Sequence, residues 1–77
     1  MKLQIISTDG IIFSGEVTKV TLPGTLGSFT ILENHASLLS TLTQGELEYE
    51  SEGKLSTLRI NGGFIDVNNN SVSVCIS

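Results

Sequence analysis

Hydrophobic and polar residues alternate in short runs along the whole chain, and turn-forming residues stop each run. Lys2–Ser7 is rich in isoleucine and ends at Thr8-Asp9-Gly10, where Asp-Gly favours a tight hairpin turn. Ile11–Phe13 follows, then Ser14-Gly15. Glu16–Leu22 carries Val17, Thr18, Val20 and Thr21 and breaks at Pro23-Gly24, before the apolar run Leu26–Leu32. Gly45–Ser51 alternates most regularly, with Leu47 and Tyr49 on one side and Glu46, Glu48 and Glu50 on the other. That is the pattern of a half-buried strand with one wet face. Glu52-Gly53-Lys54 form a turn, and Leu58 and Ile60 point inward from Leu55–Ile60. Gly62-Gly63 precede Phe64–Val67, as a bulge or a close backbone approach. Asn68-Asn69-Asn70 read as a turn, because asparagine tolerates positive φ. In Ser71–Ser77, Val72, Val74 and Ile76 share a side.

Short alternating strands with frequent turns predict an all-β sandwich or barrel. One segment departs from the pattern. In His35–Leu42, Ala36, Leu39 and Leu42 lie three apart, a helical spacing. It is too short for an independent helix, and the expectation there is a loop with one or two tight turns.

With 77 residues the chain has room for one domain, spanning 1–77. So small a fold buries only about 60–65% of its unfolded surface and is marginal alone. Disulfides, metals or partners are the usual supports. The lone Cys75 excludes an internal disulfide, and His35 and Cys75 are too few for a four-ligand zinc site. A protein partner is the remaining support. Net charge is −4, and Lys2, Lys19, Lys54 and Arg59 are dispersed, which argues against nucleic acid or an anionic membrane surface. Phe13, Phe29, Phe64 and Tyr49 are too few for a base-stacking platform. The longest apolar runs are Ile11-Ile12-Phe13 and Val74-Cys75-Ile76, far short of the roughly 20 residues of a spanning helix. Direct membrane insertion is not expected, and a lone thiol suits a reducing compartment.

Candidate chemistry is thin. His35 is the only side chain that ordinarily titrates near neutrality. No nucleophile elbow accompanies it, and a surface-loop or interface histidine is the favoured reading. Glu46, Glu48, Glu50 and Glu52 alternate along one strand, about 7 Å apart, and diverge into water. They read as a solvated face that discourages edge pairing rather than as a metal site or a carboxylate pair. Gly24, Gly27, Gly62 and Gly63 form no phosphate-binding motif, and Cys75 reads as a small core or interface residue. No catalytic residue, cofactor or metal is expected.

Five segments together carry a family likeness: Asp9–Val17, Leu22-Pro23-Gly24 with Leu26–Leu32, His35–Leu39 with Leu42 and Gly45, Asn61–Val67, and Asn70–Val74. In order from Lys2 to Ile76, they resemble the β-sandwich domain of the ε subunit of rotary ATP synthases. The resemblance implies a two-sheet β-sandwich of about ten short strands. It implies a non-catalytic rotor subunit at the foot of the central stalk, which couples ion flow through the c ring to rotation of the γ subunit and ATP synthesis. It implies a peripheral place in the complex, on the cytoplasmic face of a bacterial inner membrane. The loop Gly27–His35 resembles the ring-facing one, with Ser28 and His35 at the family's ring-contact positions. Ile12, Leu39 and Cys75 resemble γ-facing positions.

Ser28 stands where many relatives have an acid, so a neutral hydrogen bond replaces an ionic contact. Glu33-Asn34 replaces a proline-containing pair, and Ser37 and Thr8 also stand at proline sites. Relatives continue into a helical hairpin that inhibits hydrolysis and in some bacteria binds ATP. This sequence ends at Ser77, and the expectation is a chain that couples without hairpin inhibition or ATP binding. The alternative is a free-standing ligand- or peptide-binding β-domain, which needs an aromatic platform or a free strand edge.

Overall fold

The computed structural model describes all residues, Met1–Ser77. It has nine strands and no helix: β1 (Lys2–Ser7), β2 (Gly10–Glu16), β3 (Lys19–Gly24), β4 (Gly27–Leu32), β5 (Leu38–Leu42), β6 (Gly45–Ser51), β7 (Lys54–Ile60), β8 (Gly63–Asn68) and β9 (Ser71–Ile76). The expected ten are nine. Hydrogen bonding links them into one strongly curled sheet, in the order β2-β1-β9-β8-β5-β3-β6-β7, with β4 on β3. A single pair, Gly24 with Leu42, joins the halves β2-β1-β9-β8-β5 and β4-β3-β6-β7. The first and last strands pair in parallel, and every other pair is antiparallel.

Curling brings the inner faces of the two halves together. Leu3, Ile5, Ile65, Val67, Val72 and Val74 of the first half share one core with Val20, Leu22, Ile31, Leu47 and Ile60 of the second. Phe13 and Tyr49 meet across the halves with ring centroids 4.4 Å apart. Each aliphatic side chain fully buried here contributes about 1.5–3 kcal/mol of transfer free energy.

The turns follow from their residues. Glu52 and Gly53 (φ 53° and 76°) and Asn69 and Asn70 (φ 50° and 63°) make two-residue hairpins with positive φ at both central positions. That geometry matches the twist of the flanking strands. The first hairpin turns at Thr8-Asp9, one residue before the Asp-Gly pair, with Gly10 already paired to Ser7.

Three expectations are corrected. His35–Leu42 is not a loop with tight turns throughout, because Leu38–Leu42 is strand β5, paired to β8. The open edge of β8 supplies the backbone partners, and the threefold spacing reflects no helix. Glu16–Leu22 is not one strand: β2 ends at Glu16, and β3 begins at Lys19. Between them Val17 is buried and the chain crosses from one half to the other. There the Val17 N–H donates to Met1 at 2.8 Å and the Thr18 N–H to Glu50 at 2.9 Å. Pro23-Gly24 does not break the run either, since both residues remain in β3, paired with Ser28 and Gly27.

Gly62-Gly63 proves to be a close backbone approach. A Cβ at Gly63, whose φ is 143°, would sit 2.0 Å from the Cys75 carbonyl oxygen.

Candidate functional site

Direct strand partners place their side chains on the same face of a sheet. In the first half the inward residues are Leu3 and Ile5 on β1, Val72 and Val74 on β9, and Ile65 and Val67 on β8, all buried. Their neighbours along each strand point outward. Register then lays the outward residues in rows. One row is polar: Ser14, Gln4, Ser73, Asp66, closed by Leu39. The next is Ile11, Ile6, Cys75, Phe64 and Thr41. On four strands the outward position therefore changes from polar to apolar toward the same end. Lys2 and Gln4 give way to Ile6, Ser71 and Ser73 to Cys75, Asn68 and Asp66 to Phe64, and Glu16 and Ser14 to Ile11.

The apolar end is open to solvent. Ile11 is 62% exposed, Ile12 47%, Leu39 73% and Phe64 48%. Ile12 is the extra residue of a bulge opposite Ile5 and Ile6, beside this row. Leu26, at the tip of the β3–β4 turn, is fully exposed and joins Leu39 and Phe64 around an open groove of about 660 Å³. Ile12, Leu39 and Cys75 thus share one outer face, Ile12 and Cys75 in or beside the apolar row and Leu39 at the end of the adjoining polar row, beside the groove with Phe64. Ile6, Ile11, Leu26 and Phe64 belong to the same patch and were not singled out from the sequence. Of these only Ile11 lies in one of the two longest apolar runs; the others reach the patch through strand register and the β3–β4 turn.

The loop expected from Gly27 to His35 is mostly strand β4, and only Glu33–Ser37 is irregular. β4 pairs with β3 alone and leaves its other edge free. Ser28 and His35 bracket this edge and do not form a compact cluster, since Ser28 and Leu32 alone lie on the order of 13 Å apart along the strand. Both are exposed. The His35 N–H donates to the Leu32 carbonyl at 3.2 Å, and its Nδ1 lies 2.7 Å from the Ala36 carbonyl oxygen. A carbonyl oxygen can only accept, so Nδ1 is the donor in that bond.

The turn beside His35 is tied down. The α-ammonium of Met1 donates to Glu33 Oε1 at 2.5 Å and to Glu16 Oε1 at 3.2 Å. The ammonium holds the Glu33 carboxyl below its ordinary range, with a smaller contribution from the Asn70 amide. The hydrogen bond to Glu33 in turn raises the Met1 ammonium above its ordinary value, against its own desolvation. The Asn34 N–H donates to Asn70 Oδ1 at 3.0 Å.

The outer face of the second half is mixed, mostly polar and charged but with Leu32 and Leu55 exposed on it. Thr30, Thr21, Glu48 and Thr57 form one row, and Leu32, Lys19, Glu50 and Leu55 another. Glu46, Glu48 and Glu50 lie on this face, as their alternation indicated, whereas Glu52, read with them on one strand, lies in the β6–β7 turn at φ 53°. No three His, Cys, Asp or Glu side chains converge as a metal-binding group.

Residues 1–77 match the family described as "ATP synthase, Delta/Epsilon chain, beta-sandwich domain". The ATP synthase epsilon chain of Leptospira interrogans (strain Fiocruz L1-130) is 42% identical over 74 residues, covering 96% of this chain and 58% of the relative. That of Wolinella succinogenes is 47% identical over 75 residues, covering 96% and 57%. Among solved structures, a chain of the Euglena gracilis mitochondrial ATP synthase, in an OSCP/F1/c-ring assembly, superposes with a TM-score of 0.90. It is 31% identical, over 96% of this chain and 48% of that one. A chain of the Tetrahymena thermophila mitochondrial ATP synthase central stalk and c ring shares the fold, with a TM-score of 0.85 at 14% identity over 99% of this chain and 62% of its own. The chain spans under two thirds of the length of the curated relatives it matches. A match along its whole length, with relatives above 40% identity over 96% of the chain, makes this chain a member of the ATP synthase delta/epsilon β-sandwich family.

Proposed function

We propose that this domain is a non-catalytic rotor element of a rotary ATP synthase, set between the γ subunit and the c ring of the central stalk. The observation that carries the reading is the outward switch from polar to apolar at one end of four adjacent strands. A free sandwich keeps outward positions polar, whereas a face covered by a partner does not. The apolar end, with Ile12, Leu39 and Cys75, takes γ. The free edge of β4, bracketed by Ser28 and His35, takes the ring. Polar side chains there meet polar ring loops without entering lipid. The close-packed double layer has low compressibility and passes strain between the two contacts.

No helix here is long and apolar enough to cross a membrane. The domain is held peripherally, on the cytoplasmic face of a bacterial inner membrane, as the names of its bacterial relatives support. The test is recovery of the tagged full-length protein from its native membranes. Co-purification of γ and c subunits supports the reading, and recovery of neither ends it.

A further inference from the structure

We infer that Asn70, in the β8–β9 turn, is a positioning residue that latches the Glu33–His35 turn to the end of the first sheet. Three segments distant in sequence converge there: the start of β1, the turn after β4 and the β8–β9 turn. Asn70 serves two of them at once. Its side-chain oxygen accepts the Asn34 N–H at 3.0 Å, and its backbone carbonyl accepts the Lys2 N–H at 3.1 Å. The third link is ionic, from the Met1 ammonium to Glu33 and Glu16.

The latch answers a conformational problem. Asn34 has φ 62°, a left-handed conformation that asparagine tolerates better than other non-glycine residues and that a hydrogen bond to its N–H favours further. The sequence supplies no proline to stiffen this turn: the only proline is Pro23. The bond from Asn70 selects the left-handed state by satisfying the Asn34 N–H in it. Asn70 is itself left-handed at φ 63°, as its place in a tight hairpin requires, and this aims its amide across the sheet end. His35 follows Asn34 directly, so the direction of the imidazole is set by a bond made one residue earlier.

The consequence for coupling rests on the proposed ring contact of His35, while the latch itself does not. Asn70→Gly keeps the left-handed backbone and removes the amide. Asn69→Gly is the matched control, because Asn69 occupies the same turn and its side chain makes no hydrogen bond. In the full-length protein, amide hydrogen exchange at Asn34 is expected to quicken about fivefold or more in Asn70→Gly, the size of one net hydrogen bond. Val72 and Val74 in β9 keep their wild-type rates, and Asn69→Gly leaves Asn34 unchanged. In the assembled complex, Asn70→Gly weakens ATP-driven proton pumping. Unchanged exchange at Asn34 overturns the latch. Faster exchange with undiminished pumping upholds the latch and removes the ring-facing reading. Should Asn70→Gly fail to fold, hydrogen exchange of the wild-type protein keeps the test: an Asn34 amide that exchanges at the rate of an unstructured peptide overturns the proposal.

Discussion

Truncating Phe64 to alanine tests the apolar face most directly. Phe64 is 48% exposed, and its partners across the sheet are Cys75 and Thr41. A phenylalanine buries about 150–250 Å² when covered, so a docked γ subunit removes about 100 Å² of Phe64 from water. At about 25 cal/mol/Å² this amounts to about 2.5 kcal/mol. Ordering of side chains and imperfect pairing at the rim reduce the return. The expected loss is about 1–2.5 kcal/mol, or about 5- to 60-fold in affinity. The fold loses only cross-strand contacts on an outer face, about 1 kcal/mol or less. Calorimetric titration of γ with the full-length wild-type and Phe64→Ala proteins reads the first quantity, and urea unfolding reads the second. Thr57→Ala, on the opposite face, leaves binding unchanged. A Phe64→Ala protein that binds γ within twofold of wild type would refute the assignment of this face.

Three further outcomes follow from named contacts. Gly63→Ala should cost about 3 kcal/mol or more in urea unfolding, since its Cβ falls 2.0 Å from the Cys75 carbonyl and φ is 143°; a loss below about 1 kcal/mol would show that β8 shifts freely against β9. His35→Ala should change stability by under about 0.5 kcal/mol, as an exposed loop substitution, yet weaken ATP-driven proton pumping, and normal pumping would remove His35 from the ring contact. The Met1–Glu33 pair should make stability fall at both pH extremes. Glu33 is held below its ordinary 4.5, so its contribution is present above that value and is lost as pH falls through the lower folded one. The Met1 ammonium is raised above its ordinary 8.0, so its contribution is present below that and is lost as pH rises through the higher folded value. Melting temperatures of wild type and Glu33→Gln should differ most between these limits, and a gap constant with pH would contradict the pairing.

Some of this was legible in the residues. β6 has one wet face, so Glu46, Glu48 and Glu50 alternate cleanly with Leu47 and Tyr49, and Gly45–Ser51 is the observed strand. β5 was not legible. Leu38 and Leu42 face inward, but Leu39 points outward and Ser40 toward the inner side, so the period of two is broken at the middle of the strand, and the backbone edge of β8 pairs it. The run Ile11-Ile12-Phe13 hid a bulge, because an inserted residue breaks the period of two without changing composition. Gly62-Gly63 left two readings open until Cys75 was seen across the sheet. At the candidate site, Ile12, Leu39 and Cys75 came through family likeness. Their assembly into one face depends on register between strands as distant in sequence as β1 and β9, and a period within a single strand carries no such information.

The two outer faces of the sandwich differ in a way that folding alone does not require. Both halves bury one face in the shared core. If core formation were the only constraint, both outer faces would carry the mixture seen on β4, β3, β6 and β7, where threonines, glutamates, Lys19 and Arg59 meet water with Leu32 and Leu55 dispersed among them. Instead the first half sorts its outward residues along the strands. The polar end carries Lys2, Glu16, Asn68 and Ser71 beside the latched His35 turn, and the apolar end carries Ile6, Ile11, Phe64 and Cys75. Exposed isoleucine and phenylalanine contribute little to a monomer and invite association. Their concentration at one end, with the only histidine near the other, fits the two contacts of different chemistry proposed above, a dry one for γ and a wet one for the ring. On that proposal, a rigid sheet between the two contacts needs no moving part of its own to pass strain from one to the other.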